Sequence, residues 1–331
     1  MKGKKILITG ASGFVGSFLV EEAIKRGLDT YAGVRSTSSR AFLTHKKIQF
    51  FELDFSNKED LQQKLAATQF DYVIHCAGVT KADNKEGFFK YNFELTKSFV
   101  EILQETNPAL EKFIYISSLA SYGPADNHPT EIVLESNAPH PIDTYGESKL
   151  ATEQWLQKLP SFPYLIFRPT AVYGPREKEI FIFFKTFSKG IEGHIGRTPQ
   201  KATFIYVKDL ARLIIDATLS EKTQKSYFVS DGNHYPTQEL GRIARKVLQK
   251  SPLQINIPIG IVQVIAAVNE GFGRLTGKMP PLNLEKVKIL KSKNWQCDIQ
   301  PLKNDFNFAP AYDLEQGVTE ALHWYLENKW L

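Results

Sequence analysis

Residues 9–16 read Thr9-Gly10-Ala11-Ser12-Gly13-Phe14-Val15-Gly16. The stretch begins at the last residue of an apolar run, Lys5–Thr9. In a turn between a strand and a helix, the first glycine permits a tight bend and the second lets the backbone approach a ligand. The third lets the helix pack on the strand. Free N–H groups and the helix dipole then attract phosphate. The stretch predicts a site for a dinucleotide pyrophosphate at Gly10, Ser12, Gly13, Phe14, Val15 and Gly16.

Short apolar runs alternate with helical patterns through the first half of the chain. Strands are predicted at Lys5–Thr9, Thr30–Val34, Ile48–Leu53, Tyr72–Cys76, Phe113–Ile116 and Tyr164–Phe167. Helices are predicted at Gly16–Arg26, Lys58–Ala67, Glu86–Glu105 and Thr144–Leu159. Unbroken apolar strands are typical of parallel sheets buried on both faces. Their alternation with helices predicts an α/β fold with a Rossmann-type, doubly wound parallel sheet.

The pattern changes after about residue 170, where glycine and proline interrupt mostly helical sequence. We expect a dinucleotide-binding domain over residues 1–172 and a smaller, mostly helical substrate domain over residues 173–331. The runs Thr203–Val207 and Tyr227–Val229 lie in a segment, about 203–230, that we expect to return to the first domain. They either rejoin the main sheet or form a small side sheet.

Composition excludes several classes of protein. The 41 basic and 36 acidic residues give a net charge of +5 without a basic cluster, so we expect no nucleic-acid partner. Cys76 and Cys297 are the two cysteines, too few and too far apart for a disulfide framework or a metal site. The apolar stretch Ile255–Val268 is shorter than the ~20 residues of a membrane span. We therefore expect a cytoplasmic protein with no metal and no membrane span.

The end of the second predicted strand selects the cofactor in this class of sheet. An NAD protein places Asp or Glu there, whereas this chain has Arg35, whose guanidinium suits a 2′-phosphate. We therefore favour NADP, with NAD as the alternative and a solvated loop residue as the other interpretation of Arg35. Asp54 and Phe55 end the third strand, where a side chain could reach the adenine. A turn role for Asp54 fits equally well.

Tyr145 and Lys149 lie four residues apart, on one face of a predicted helix. A phenol is a poor base at neutral pH, and we expect the lysine cation to lower its pKa. Tyr145 could then exchange a proton with an alcohol or a forming alkoxide. Ser117 and Ser118 follow the central strand Phe113–Ile116, where ligands bind in parallel sheets. Ser118 is our choice to polarise a substrate oxygen, and Ser117, as the alternative, is better placed beside the nicotinamide.

Together these residues resemble the extended short-chain dehydrogenase/reductase family. The resemblance covers nearly the whole chain and includes further motifs: His75-Cys76-Ala77-Gly78, Asn92, Ser117-Ser118 with Tyr122-Gly123, Arg168-Pro169-Thr170-Ala171-Val172-Tyr173-Gly174-Pro175, Phe204–Ala211 and Asp313–Trp324. The resemblance implies that Ser118, Tyr145 and Lys149 are catalytic. It also implies that the cofactor contacts Cys76, Ala77, Gly78, Ser117, Tyr145, Lys149, Pro169, Ala171 and Val172.

Three features bear on the reaction. Family members that bind nucleotide sugars often carry an arginine before the strand at Phe204, and this chain has only Lys201 nearby. Dehydratases of the family have an Asp-Glu pair where this chain has Leu119-Ala120. The segment Pro258–Pro281 is largely apolar and is similar to the tails of dihydroflavonol reductase-like and 3β-hydroxysteroid dehydrogenase-like members. It is interpreted as an apolar substrate wall or as a plain core helix.

We therefore expect hydride transfer between NAD(P) and the secondary alcohol or ketone of a small, largely apolar substrate. The alternatives are a nucleotide-sugar 4-epimerase with tightly bound NAD, and a dinucleotide sensor without turnover. In the family, helices equivalent to Glu86–Glu105 and Thr144–Leu159 pair two subunits, so the resemblance implies a homodimer.

Overall fold

The computed structural model describes residues 3–127, 131–196, 200–276, 280 and 282–331. Within these ranges the strands are β1 Lys5–Thr9, β2 Asp29–Val34, β3 Gln49–Glu52, β4 Tyr72–His75, β5 Lys112–Ile116, β6 Tyr164–Pro169, β7 Ala171–Tyr173, β8 Ile191–Ile195, β9 Lys201–Ala202, β10 Phe204–Tyr206, β11 Lys225–Val229, β12 Tyr235–Pro236 and β13 Leu253–Ile257. The helices are α1 Phe14–Lys25, α2 Lys58–Ala67, α3 Lys85–Phe89, α4 Leu95–Thr106, α5 Thr144–Leu156, α6 Glu179–Ser188, α7 Val207–Thr218, α8 Glu239–Leu248, α9 Ile259–Thr276, α10 Leu284–Lys291, α11 Gln300–Phe306 and α12 Leu314–Glu327.

The centre of the described chain is a seven-stranded sheet in the order β11-β6-β5-β4-β1-β2-β3. All of its neighbouring strands pair in parallel. Each of the six strands predicted for the first half belongs to it, with ends within two residues of the prediction. The chain leaves β1 toward β2 on one side and returns as β4 on the other, which opens a crevice beside the end of β1. The Rossmann-type doubly wound sheet is thus confirmed.

Both faces of the inner strands β1, β4, β5 and β6 are buried, because alternate residues point to opposite layers and helices cover both. Ile6 and Ile8 of β1 pack in one core with α1 and α7, whereas Leu7 packs in the other core with α2 and α4. Burial on both sides explains why these strands are unbroken apolar runs rather than alternating ones. The carboxyl ends of the strands therefore carry the polar residues that can meet a ligand.

The two runs whose sheet was left open, Thr203–Val207 and Tyr227–Val229, lie in different sheets. β11 joins the central sheet beside β6, so the chain does return to the first half of the molecule there. β10 instead pairs with β7 in a separate two-stranded sheet. The rest of the C-terminal part is mostly helical and shares an aromatic core that includes Tyr173, Phe184 and Tyr325. The domain boundary at residue 172 stays a prediction.

The helix predicted at Glu86–Glu105 is interrupted. It runs as α3, a π-helical turn over Lys90–Glu94, and α4. A π turn inserts an extra residue and redirects the side chains beyond it, and such turns often occur at functional sites. Short 3₁₀ turns, Leu119–Ser121 and Ala125–Asn127, follow β5. No helix among the described residues combines the length and apolar composition needed to cross a membrane.

Candidate active site

The glycine-rich turn after β1 is held against the strand β4. Gly10 has φ +67°, and a Cβ there would lie 2.8 Å from the backbone nitrogen of Ala77. A Cβ at Gly16 would clash with the carbonyl oxygen of Gly10. Gly13 caps α1 without any side-chain hydrogen bond to the first turn, which leaves the N–H groups at this helix start facing the crevice. The turn therefore has the form of a phosphate cradle.

A cleft opens from this turn across the ends of β2, β3 and β4. Of the predicted cofactor residues, those that line it are Gly10, Ser12, Gly13, Arg35, Phe55, Cys76, Ala77 and Gly78. Sequence reasoning missed other lining residues: Gly33, Val34, Ser38, Leu53, His75, Val79, Tyr91, Leu95 and Thr96. Four of these, Gly33, Val34, Leu53 and His75, lie at the ends of the predicted strands themselves, while Tyr91, Leu95 and Thr96 lie on the helical segment after β4. The prediction counted the residues that follow each strand and so left these out.

Other predicted cofactor residues lie elsewhere. Phe14 and Val15 pack against the core, and Gly16 is buried behind the turn. The Asp54 carboxylate is exposed and accepts a 2.9 Å hydrogen bond from the Ser56 backbone, so the structure favours its turn role. Pro169 is the last residue of β6, and Ala171 and Val172 lie in β7; none of the three is among the residues that line the cleft.

Tyr145 lies in the first turn of α5, beside the loop that follows β5. Its phenol lies close enough to the Ser118 side chain for that hydroxyl to lower the pKa of the phenol. The Ser118 oxygen also accepts a 3.2 Å hydrogen bond from the Ala120 backbone and so begins the 3₁₀ turn. Helix α5 approaches this turn closely, since a Cβ at Gly146 would clash with the Ala120 carbonyl. The structure thus brings two of the three predicted catalytic groups into contact.

Lys149 lies one turn further along α5, under the ends of β4 and β5. Its ammonium donates a 2.8 Å hydrogen bond to the Ile116 carbonyl and lies 4.7 Å from the centre of the Tyr115 ring. It is also 3.6 Å from the point that a Cβ on Gly78 would occupy, so it borders the cleft. Burial lowers the pKa of this lysine to about 8.

The predicted effect of Lys149 on Tyr145 is not seen in the structure. Burial raises the pKa of the Tyr145 phenol, and the nearby Ser118 side chain opposes that rise only in part. The lysine ammonium is directed to the Ile116 carbonyl and the Tyr115 ring instead. Residues four apart share a helix face, but the neighbouring strand ends decide where a long side chain points.

Tyr145 faces a second cavity that adjoins the cleft. Its lining residues are Thr80, Lys81, Ala82, Phe88, Asp143, Tyr145, Glu179, Pro280, Asn283, Glu285 and Lys286. Residues 76–79 line the cleft and residues 80–82 line this cavity, so one segment after β4 connects the two. The arrangement can place a ligand oxygen at Tyr145 and Ser118, next to whatever occupies the cleft.

With this geometry established, comparison with known proteins decides the family. The sequence model of the NAD dependent epimerase/dehydratase family matches residues 6–229, more than half of the chain. The chain belongs to this family. Named relatives are epimerases, dehydratases and dehydrogenases, so the chain is an enzyme of the extended short-chain dehydrogenase/reductase type, as the resemblance implied.

The relatives of this epimerase/dehydratase family member differ in activity. UDP-glucose 4-epimerase of Vibrio cholerae is 28% identical over 334 residues, covering 98% of this chain and 96% of that protein. Ceramide reductase of Caulobacter vibrioides is 24% identical over 330 residues, covering 98% and 96%. A crystal structure of UDP-glucose 4-epimerase from Thermotoga maritima with UDP-glucose has a TM-score of 0.81 at 19% identity, covering 98% and 99%. That structural likeness shows the fold.

A dinucleotide fits the cleft of this family member. The family is NAD(P)-dependent, and several solved chains of the same fold are complexes with NAD. A side chain at Gly10 would fill the space against Ala77, and the start of α1 offers unsatisfied N–H groups. These two features fit a pyrophosphate group.

Asn92 positions the segment that joins the two cavities. Its amide oxygen accepts a 2.8 Å hydrogen bond from the Val79 backbone nitrogen, and its amide nitrogen donates to the Val79 carbonyl and to Ser148. Asn92 is buried within the π-helical turn. The sequence resemblance included Asn92, but a helical pattern does not reveal the π turn that holds it.

Ser117 is held in a buried ionic network rather than in the cleft. Its hydroxyl donates to Glu153, which also accepts a 2.8 Å hydrogen bond from Ser121. The Arg168 guanidinium donates a 2.7 Å hydrogen bond to the same carboxylate. Both members of the Arg168–Glu153 pair are 1% exposed. Since Glu153 is on α5, this network ties the helix of Tyr145 to the loop of Ser118.

The predicted apolar substrate wall is not found at this cavity. Of the segment Pro258–Pro281, Pro280 is the described residue that lines the cavity, while residues 277–279 and 281 lie outside the described part. Helix α9 packs against α10 and turns the opposite side to solvent. The cavity wall is instead made by α3, α5, α6 and the start of α10.

The buried lysine gives a testable pH dependence. The pKa of Lys149 is about 8 in the folded chain and 10.5 in its ordinary state. Between these values the unfolded chain binds the extra proton, so this group makes the free energy of unfolding rise with pH. We expect the free energy of unfolding of wild type, relative to that of Lys149→Met, to increase between about pH 7.5 and about pH 9.5. Urea unfolding at the two pH values measures this difference.

The exposed Lys97 offers the matched control. Lys97→Met should change stability by the same amount at both pH values, because this side chain is 42% exposed and only loosely paired with Glu101. A stability difference for Lys149→Met that stays constant or moves the other way would contradict the assignment.

Proposed function

We propose that the chain transfers hydride between NADP(H) and a secondary alcohol or ketone on a largely apolar, lipid-like substrate. The observation that carries the proposal is the contact between Tyr145 and Ser118 at a cavity that adjoins the cleft, with Lys149 buried behind it. The ceramide reductase of Caulobacter vibrioides, related over 98% of this chain, supports a lipid ketone as the substrate class.

The proposed roles follow from the contacts. The Ser118 hydroxyl donates to the substrate oxygen, which favours negative charge developing there. The Tyr145 phenol gives its proton to that oxygen during reduction and takes it back during oxidation. A raised pKa of Tyr145 keeps the phenol protonated, the form required for ketone reduction. The bound dinucleotide supplies the hydride, and Lys149 lies where it can hold the ribose beside Gly78.

Two features argue against the other family reactions. Leu119 and Ala120 follow Ser118 directly and carry no acid or base, which a dehydration requires. Lys201, the residue weighed as a diphosphate ligand, lies in β9, outside the lining of the Tyr145 cavity. A nucleotide-sugar 4-epimerase remains the second candidate because the Vibrio cholerae relative has that activity. Pairing of two subunits through α4 and α5 likewise remains a proposal.

Arg35 carries the proposed preference for NADP. It follows the end of β2, is exposed, and lines the cleft. A charge-assisted hydrogen bond from a guanidinium to a phosphate contributes about 1.5–3 kcal/mol, which corresponds to a preference of about 10- to 100-fold. We expect purified protein to consume NADPH with a long-chain ketone amide, and Arg35→Ala to lose most of its preference for NADPH over NADH.

Arg40→Ala serves as the control because Arg40 stacks on Phe50, 4.2 Å from the ring centre, outside the cleft lining. In Arg40→Ala the ratio of kcat/KM with NADPH to kcat/KM with NADH should equal that of wild type. Interconversion of UDP-glucose and UDP-galactose without added cofactor, together with no NADPH consumption on any ketone, would replace the proposal by the epimerase. If Arg35→Ala keeps the wild-type preference for NADPH, only the proposed role of Arg35 is overturned, and the proposed reaction is not affected.

A further inference from the structure

Helix α9 has one covered face and one bare face. Val262 and Ala266 are buried against Val287 of α10. On the opposite side Ile261, Val264, Ile265 and Val268 recur with helical spacing and are exposed. No charged side chain interrupts this run on the helix between Ile259 and Asn269. A surface helix normally turns polar residues to water, whereas α9 carries apolar residues on its exposed side as well as on its covered side.

The strand pair β8–β13 extends the bare surface. Ile191 pairs with Leu253, Gly193 with Ile255 and Ile195 with Ile257, so these six residues share one face. A Cβ on Gly193 would meet nothing within 4 Å, which shows that this face is open. Pro258 alone separates β13 from α9. We call the joint surface the apolar outer face; it consists of Ile191, Leu253, Ile255, Ile257, Ile261, Val264, Ile265 and Val268.

The extent of the apolar outer face marks it as a surface that binds another molecule. Its eight side chains are between 37% and 69% exposed, and they make up most of the large exposed hydrophobic side chains described. Continuous exposed apolar patches on soluble proteins mark interaction sites, whereas scattered single residues do not.

The exposed charges on the elements that form or adjoin the apolar outer face are of one sign in the described part. On β8, β13, α9 and α10 the exposed charged side chains in the described part are Lys286, Lys288 and Lys291. Lys189 and Lys250 are exposed at the two ends that lead into the strand pair. The carboxylates on these elements are engaged: Glu192 is buried with Arg245, Glu270 accepts from the Leu284 backbone, and Glu285 accepts from Thr144. An apolar face with exposed lysines on the adjoining segments matches an anionic lipid surface.

A second copy of the chain matches this surface less well. A symmetric dimer places the same patch of each subunit against the other. The lysines on the adjoining segments of the two subunits would then come closer together, and like charges at an interface oppose association.

The apolar outer face also lies next to the proposed site of reaction. The chain passes from α9 to α10 through Pro280 and Asn283, and both residues line the Tyr145 cavity together with Glu285 and Lys286. We propose that the apolar outer face docks on the surface of an anionic bilayer, so that a lipid substrate enters the Tyr145 cavity directly from the membrane. The inference rests on the proposed function for its substrate, but the docking itself does not need turnover.

Vesicle flotation of the full chain tests the docking. Vesicles of phosphatidylcholine mixed with phosphatidylserine should carry the wild-type protein, and vesicles of phosphatidylcholine alone should carry much less. The double variant Val264→Asp/Val268→Asp should lose about 10-fold or more in apparent affinity, because it places two carboxylates in the apolar face. Lys288→Glu/Lys291→Glu should weaken binding to the anionic vesicles, as should added salt.

Leu326→Asp is the matched control, since Leu326 is an exposed leucine on α12, outside the apolar outer face. It should bind vesicles as wild type does, and all variants should keep the wild-type circular dichroism melt. Equal vesicle binding by wild type and Val264→Asp/Val268→Asp overturns the inference. The inference is also overturned if wild type is a dimer that does not bind vesicles and Val264→Asp/Val268→Asp converts it to a monomer. Vesicle binding without NADPH consumption on any ketone supports the docking while rejecting the proposed function.

Discussion

Replacing Tyr145 by phenylalanine should lower kcat for ketone reduction by about 10²- to 10⁴-fold, the usual contribution of a positioned proton donor. The ring remains in its place beside Phe88, at a centre-to-centre distance of 6.4 Å, so the cavity keeps its shape. Only the hydroxyl that contacts Ser118 is removed. The dissociation constant for NADPH should stay within about two-fold, because the glycine turn and the cleft ends of β2 and β4 are untouched.

Steady-state turnover and fluorescence titration with NADPH measure the two effects separately. Tyr31→Phe is the control: Tyr31 also contributes a phenol, but it lies in β2 and packs with Phe51 and Phe70 on the far core. It should retain wild-type turnover. Near-native turnover in Tyr145→Phe would rule out Tyr145 as the proton donor.

Replacing Glu153 by alanine should destabilise the fold by about 3–5 kcal/mol, because it leaves a buried guanidinium without its main counter-charge. Arg168 is 1% exposed and packs 4.4 Å from the centre of the Tyr122 ring, so water cannot reach it readily. Glu135 lies 3.5 Å from the guanidinium, but burial raises the pKa of that carboxyl to about 6, so it is a weaker counter-charge. Urea unfolding measures the loss.

Two controls separate burial from charge. Glu101→Ala removes a surface carboxylate that is 3.8 Å from Lys97, and it should cost less than about 1 kcal/mol. The double variant Glu153→Leu/Arg168→Met removes both buried charges and should recover much of the loss, since apolar replacements of buried pairs are often neutral. A loss in Glu153→Ala no larger than that in Glu101→Ala would contradict the buried-pair interpretation.

Several elements could be predicted from sequence because their signals are local. The glycine spacing at Gly10, Gly13 and Gly16 and the apolar run of β1 lie within a dozen residues, and the structure has the turn where the pattern places it. The Tyr145–Lys149 spacing predicted one helix face, and α5 carries both. The open assignment of Tyr227–Val229 could not be resolved this way, because pairing with β6 joins residues about sixty apart.

The amino-acid sequence by itself determined the order of strands and helices in the first half of the chain, the phosphate turn and the candidate proton donor, because each depends on periodicity within a few neighbouring residues. Only the tertiary structure decided that Ser117 is bound to Glu153 while Ser118 lies beside Tyr145, that Glu153 neutralises Arg168, and that α9 leaves apolar residues exposed. Those outcomes depend on desolvation and on partners distant in the chain. A side chain's pKa and exposure are set by what packs around it, which local sequence patterns do not contain.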